Sequence, residues 1–211
     1  MSEIDRAYRL IKALAIACEF GPDEPIRPRS LASQLGVSAA RVRAALERLV
    51  AEGLVARKTR NRFAGVGIAK ASLPVVYRLN RRLLSETLRS HGSDGDLLGA
   101  ALADIASIGY ELELDCPASG DRIAEITGRL FSSIARLSAT RRIVRPVQHI
   151  NDRLRCVRKR EYTHLDDVPA ELLNICIPLL ADRRTPAIRA IADYHDRRLA
   201  LPPRLLESLS K

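Results

Sequence analysis

The chain has 211 residues and a net charge of +10, with 46% apolar residues, only 4% aromatic ones and no Trp. A length of this order suits one large domain or two small ones, and a core built mainly from Leu, Ile, Val and Ala points to packed helices rather than sheets. No stretch is apolar enough to span or anchor in a membrane, and the start "MSEIDRAYRL" has acids where a signal peptide is basic, so a cytoplasmic protein without membrane association is expected.

The charge is unevenly spread. Residues 1–70 carry 13 Lys and Arg against 7 Asp and Glu, while the remaining 141 residues carry 22 against 18. The basic excess of the smaller part implies a polyanion partner, because neutralising phosphates and releasing their counterions supplies most sequence-independent affinity for nucleic acid. An anionic membrane surface is the competing reading. Cys18, Cys116, Cys156 and Cys176 lie far apart, with no C-x-x-C pair and no His at ligand spacing, so buried free thiols are expected rather than a metal framework.

Taken in chain order, Ile4, Ala7, Leu10, Ile11, Leu14 and Ala17 recur at three and four, which predicts a helix over 3–20 with one buried face. "GPDEPIRP" stops it. Ser30 then stands where a cap is needed for a short helix "LASQLG" that Gly36 ends in the left-handed conformation, and Ser38 stands where a second cap is needed. The next helix places Val42, Ala45, Leu46, Leu49 and Val50 on one stripe and closes at Gly53. Leu54–Arg57 and Phe63–Ile68 read as an antiparallel hairpin around a basic turn. "KASLP" reads as a linker. Beyond it, helices are predicted near 75–90, 96–114, 121–138, 143–161, 168–182 and 186–200, with Pro146 near a helix start and Pro178 as a kink. The expected fold is mainly α: a winged helix-turn-helix over 1–70 with a small hairpin wing, and an all-helical bundle of about six helices over 71–211 able to enclose a cavity.

In a helix-turn-helix the second helix presents its first residues to base edges in the major groove while the first crosses the phosphate backbone. Ser38, Ala39, Arg41 and Arg43 occupy the opening turns of that reading helix, where Arg can fork onto guanine acceptors and a hydroxyl or helix amides can take a phosphate. The acid-free tip "RKTRNR", with Lys58, Thr59, Arg60 and Arg62, is the wing that would reach phosphates or the minor groove. A merely solvated basic face is the alternative for each of these residues taken alone.

The words "LASQLGVS..RVRAALERLVAEGLV" resemble the GntR family of bacterial transcription regulators, matching its pattern at Leu31, Ala32, Leu35, Gly36, Val37, Ser38, Val42, Arg43, Ala45, Leu46, Leu49, Glu52, Gly53, Leu54 and Val55. The resemblance implies DNA contacts from Arg29, Ser38 and Arg43 and from the wing around Thr59 and Arg60. It departs at Ala39, where the family has Arg, at Arg41, where it has Pro, and at Ala44, where it has Glu. Arg41 is the candidate to replace the contact missing at Ala39.

An all-helical domain after the wing resembles the effector-binding FCD domain of that family, whose D-x-x-x-H pattern and two further His residues hold a metal at the floor of a ligand cavity. Laid on this sequence, those four positions fall on Gly128, Ser132, Asn174 and His195, so one ligand of four remains and no bound metal or other cofactor is expected. The same resemblance implies that Arg81 meets an effector carboxylate, a solvated helix charge being the competing account. His149, between Val147 and Ile150, is expected to face inward as core or as ligand contact. The run 141–160 holds eight Lys and Arg against one Asp, which a solvated helix explains most simply.

Three functional classes compete for these features. A dimeric transcription regulator binding an inverted repeat of double-stranded DNA, controlled by a small organic effector with carboxylates among the candidates, accounts for most of these features. An architectural or protein-binding winged-helix module with a ligandless helical domain is the alternative. An enzyme is disfavoured, since H-E-x-x-H, G-x-S-x-G and phosphate-loop motifs are all lacking.

Overall fold

The computed structural model describes residues 3–21, 24–59, 62–66, 72–90, 95–114, 119–138 and 142–201. Lys70 and Ala71 of the expected linker, Arg60 at the wing tip, Cys116, and the separators at 91–94, 115–118 and 139–141 lie outside these residues. The chain divides into two compact units, Met1–Ile68 and Ala69–Ser210.

The first unit contains α1 (Glu3–Ile16), β1 (Pro25–Ile26), α2 (Pro28–Leu35), α3 (Ala39–Ala51), β2 (Val55–Thr59) and β3 (Arg62–Gly65). Helix α2 starts earlier than predicted. Pro28 takes the first helical position, where its missing N–H costs nothing, so Ser30 falls inside the first turn and Arg27 precedes the helix without a side-chain cap. Gly36 ends α2 in the left-handed region (φ 63°). Ser38 caps α3, its Oγ accepting from the Arg41 N–H at 3.4 Å. Gly53, also left-handed, ends α3 with paired bonds from its own N–H to Val50 O and from Leu54 N–H to Leu49 O, the closure only an αL residue allows without strain.

The sheet has the antiparallel order β1-β3-β2, with Ile26 and Arg57 flanking Phe63. Strand β3 is described to Gly65 and Val66 lies beyond it, while Gly67 and Ile68 of the predicted strand lie outside the described residues. A Cβ at Gly65 would stand 2.2 Å from Gly21 O and 2.5 Å from Phe20 O, so the backbone of the loop after α1 closes directly on the strand. The two-residue β1 was invisible to a pattern argument because it is too short to alternate. Val42, Ala45, Leu46, Leu49 and Phe63 are fully buried together with Ala7 and Ile11. The stripe of α1 is narrower than predicted, for Ile4 and Leu10 are exposed.

The second unit contains α4 (Leu73–Arg89), α5 (Gly95–Leu114), α6 (Gly120–Arg136), α7 (Val144–Glu161), α8 (Val168–Leu180) and α9 (Arg184–Leu199). Ser119 caps α6 by accepting from the Arg122 N–H. At Gly120 a side chain would meet Lys159 O at 2.2 Å, so glycine sets the close approach of α6 to the end of α7. The core gathers Leu84, Ile105, Ile108, Ile126, Leu130, Phe131, Ile134, Leu154, Leu172, Ile175 and Ile191 from all six helices. Cys176 is a free thiol in this core, its pKa pushed up to about 12 by burial.

Candidate nucleic-acid interface and an interior polar cluster

The start of α2, the start of α3 and strands β1 and β3 border one groove of about 940 Å³. Arg27, Arg29, Arg43 and Arg62 line it along with Ser30 and Ala39, and no Asp or Glu does. All four arginines are exposed. The two helix starts add partial positive charge on the same side, since their first N–H groups have no partner within the helix.

The other expected contacts stand around this groove. Ser38 is exposed at the cap of α3, with its hydroxyl hydrogen left over for an acceptor. Arg41 is half-buried and ion-paired with Glu3 of α1, so it does not line the groove. Lys58 and Thr59 are exposed on β2, beyond Arg57, which pairs with Glu47. Arg27 was missed by sequence reasoning. Its signal is a cation two places before Arg29 at the Pro28 helix start.

Within the second unit, the five expected effector residues do not gather. His149 is exposed while Val147 and Ile150 are buried, which corrects the inward reading: at about 100° per residue the stripe through 147, 150 and 154 leaves 149 on the outer face. Asn174 is exposed for the same reason, off the stripe of Leu172, Ile175 and Cys176, and lines a shallow depression with Arg189 and Asp193. Arg81 pairs with Asp196 at the surface. Ser132 is half-buried and accepts from Asn151 Nδ2 at 3.1 Å.

His195 is fully buried. Its Nδ1 donates to Ile191 O at 2.7 Å, which leaves Nε2 to accept from Asn80 Nδ2 at 3.2 Å. Burial above all holds the imidazole neutral, lowering its pKa to about 3. Both ring nitrogens are therefore engaged, and since Gly128 has no side chain, Ser132 is taken up by Asn151 and Asn174 faces outward, the residues at the four expected positions do not fit a metal. Among the described residues no group of three His, Cys, Asp or Glu side chains could hold an ion.

Around His195 lies a buried polar cluster that sequence reasoning did not find. Asn80, Asn151, Arg158, Glu161 and Arg198 are each no more than 7% exposed. Tyr77 donates to Glu161 Oε1, and Arg198 reaches both Glu161 and Glu171. Burial raises the pKa values of Glu161 and Tyr77, the nearby arginines opposing it. The signal was present in the spacing: Val147, Ile150, Leu154, Arg158 and Glu161 form one stripe on α7, and Ala187, Ile191, His195 and Arg198 another on α9. A charge that falls on an apolar stripe is a buried charge. A separate apolar cavity of about 390 Å³, with Leu88, Leu98, Leu102, Leu137 and Leu179 in its wall, contains none of the expected effector residues.

Residues 3–64 match the pattern of the bacterial regulatory proteins of the gntR family. No curated protein sequence matches the chain. In fold it is similar to the E. coli protein McbR/YncC, with 17% identity and a TM-score of 0.72 over 99% of both chains. It is also similar to a transcriptional regulator GntR from Rhodococcus sp. RHA1, with 19% identity and a TM-score of 0.73 over 98% of this chain and 99% of that one. A GntR family member from Pseudomonas syringae pv. tomato str. DC3000 is less alike, with 20% identity and a TM-score of 0.52 over 99% of this chain and 89% of that one. No helix among the described residues is long and apolar enough to cross a membrane. A capped reading helix, an acid-free groove at its start and the match over 3–64 converge on the first unit, which carries the winged helix-turn-helix of the bacterial regulatory proteins of the gntR family.

Proposed function

We propose that the chain is a one-component regulator of the kind found with FCD domains, dimeric and cytoplasmic, in which the first unit binds an inverted-repeat operator and a small organic effector in the second unit modulates that binding. The observation that carries the DNA half is the groove in which Arg27, Arg29, Arg43 and Arg62 meet the starts of α2 and α3 without any carboxylate. Arg43, one turn into α3, is the residue assigned to base edges. Arg29, Ser38, Arg62 and the wing residues Lys58, Thr59 and Arg60 are assigned to phosphates, which fix register without reading sequence. Two-fold symmetry of protein and operator then match.

The effector half is supported by the second unit's interior, where several buried polar atoms have no partner. An effector must bind the DNA-competent and DNA-incompetent states with different affinity for any switching to follow.

Selection of genomic fragments on purified protein tests the reading, at moderate salt and with Arg43→Ala in parallel. Recovery of one inverted repeat by the wild type alone is expected. Equal, sequence-blind recovery by both proteins would leave only bulk electrostatics and end the specific-regulator reading.

A further inference from the structure

The groove of the winged unit is not lined by arginine alone. On α3 the lining residues are Ala39, Ala40 and Arg43, so the first two positions of the reading helix bring nothing longer than a methyl group to it. Ala40 is exposed and Ala39 half-buried. The long side chain that follows them in sequence is turned elsewhere: Arg41 pairs with Glu3 of α1 and does not line the groove. Ser38, just before them, is held as the cap by the Arg41 N–H. Arg43 stands three and four places on, on the same face of the helix, with its Cβ about 5–6 Å from theirs. The start of α3 therefore offers the groove two methyls and then one guanidinium.

A methyl has neither donor nor acceptor. Pressed against a base edge in the major groove, it strips water from any polar group it covers and returns no hydrogen bond, which disfavours adenine, guanine and cytosine at that place. Thymine alone carries a methyl on this edge, and bringing two methyls into contact gains the free energy of burying apolar surface. Guanine presents two acceptors side by side, which one guanidinium takes as a fork. With successive bases about 3.4 Å apart along the duplex, the spacing of the Cβ atoms corresponds to one or two base steps.

We propose that Ala39 and Ala40 are specificity-determining residues that read the 5-methyl group of a thymine, one or two base pairs from the guanine read by Arg43 in the same half-site, an assignment that rests on the DNA-binding reading above and adds a second base to it.

The test runs a selection on the full-length chain from two pools of random-sequence duplexes, identical except that one contains deoxyuridine in place of thymidine and so lacks every thymine methyl. From the thymidine pool the wild type is expected to enrich a half-site with guanine and thymine one or two steps apart. From the deoxyuridine pool it should keep the guanine and lose the preference at the second position. On one enriched duplex, replacing that thymidine alone by deoxyuridine should weaken binding about threefold to tenfold by fluorescence anisotropy. The double variant Ala39→Gly, Ala40→Gly, with its melting curve as the control for folding, should bind both duplexes equally. Ala39→Arg, which sets a fork where a methyl stood, should exchange the thymine for guanine in the same selection.

Equal affinity of the wild type for the two duplexes overturns the proposal. So does a loss on removal of the methyl that persists undiminished in the glycine variant, since another part of the groove would then be touching it. If the glycine variant melts early, Ala39→Arg decides instead, and retention of thymine by that variant counts against the proposal. All of these failures leave an enriched motif and the DNA-binding reading intact. Enrichment of no motif from either pool sinks that reading and the thymine assignment together.

Discussion

Arginine serves the two units in opposite ways. In the winged unit Arg27, Arg29, Arg43 and Arg62 are exposed around one groove, where water solvates each charge and folding costs little. In the helical unit Arg158 and Arg198 are buried, where a charge must be matched group by group. Surface cations therefore act by summation toward a polyanion, and interior cations by the identity of their partners. A net charge of +10 describes the first behaviour and says nothing about the second.

The largest test of this contrast sets the two interior arginines against each other. Arg198→Ala leaves Glu161 buried without its ion-pair partner, hydrogen-bonded to Tyr77, and Glu171 without its interior cation, so a loss of about 3–5 kcal/mol is expected, lowering the melting temperature by roughly 10 °C. Arg158→Met removes a cation that no carboxylate among the described residues contacts and replaces it with apolar volume, so it should be neutral or stabilising. Thermal unfolding followed by circular dichroism measures both. Equal destabilisation by the two variants would mean that Arg158 is compensated after all.

Next in size is the reading helix. Arg43→Ala should cost about 1–3 kcal/mol on the selected operator, a tenfold to hundredfold loss by fluorescence anisotropy. Arg41→Ala should change affinity far less, by under about 0.5 kcal/mol, because Arg41 is turned to Glu3 and away from the groove. A larger effect at Arg41 than at Arg43 would reverse the assignment of the two residues.

These two neighbours also show where the sequence was legible. Caps and stops at Ser38, Gly36 and Gly53 were read correctly because each is a local requirement of backbone geometry. The helix boundaries of the second unit were close for the same reason. The ion pair of Arg41 with Glu3, 38 positions away, was not foreseen, because no local pattern reports such a pair. The interior cluster was missed differently. Asn80, Arg158 and Arg198 sit at apolar-stripe spacing on α4, α7 and α9, but a periodicity search counts a polar residue as an interruption instead of asking what it faces. Overlaying the family's metal pattern drew attention to Asn174, and the apolar neighbours Val147 and Ile150 drew it to His149, yet both residues lie on outer faces.

A smaller effect follows from His195, a neutral base in the same interior. Its folded pKa of about 3 is below the value of 6.5 expected in the unfolded chain, so the unfolded state binds the extra proton first as pH falls. Stability from this group is complete above pH 6.5 and drains by roughly 1.4 kcal/mol per pH unit below it, about 2 kcal/mol by pH 5. Glu161, raised by burial, pulls in the opposite direction, so His195→Gln is the reference that isolates the histidine. The wild type should lose stability on acidification faster than this variant, as denaturant titrations at pH 7 and pH 5 will show. Parallel curves would mean that His195 gains a proton inside the folded protein.

The smallest effect sharpens the comparison most directly, because it asks whether a given arginine is counted by DNA at all. Each phosphate contact contributes about 0.9 to the slope of log affinity against log salt. Arg29→Ala and Arg62→Ala should each lower that slope by about one while weakening operator and random DNA alike, since a phosphate contact carries no sequence information. Arg158→Met should leave the slope unchanged, because a charge shut inside the helical unit releases no counterion when DNA binds. If Arg158→Met lowered the slope as Arg62→Ala does, its charge would be reaching the polyanion, and the division between summed and paired arginines would fail.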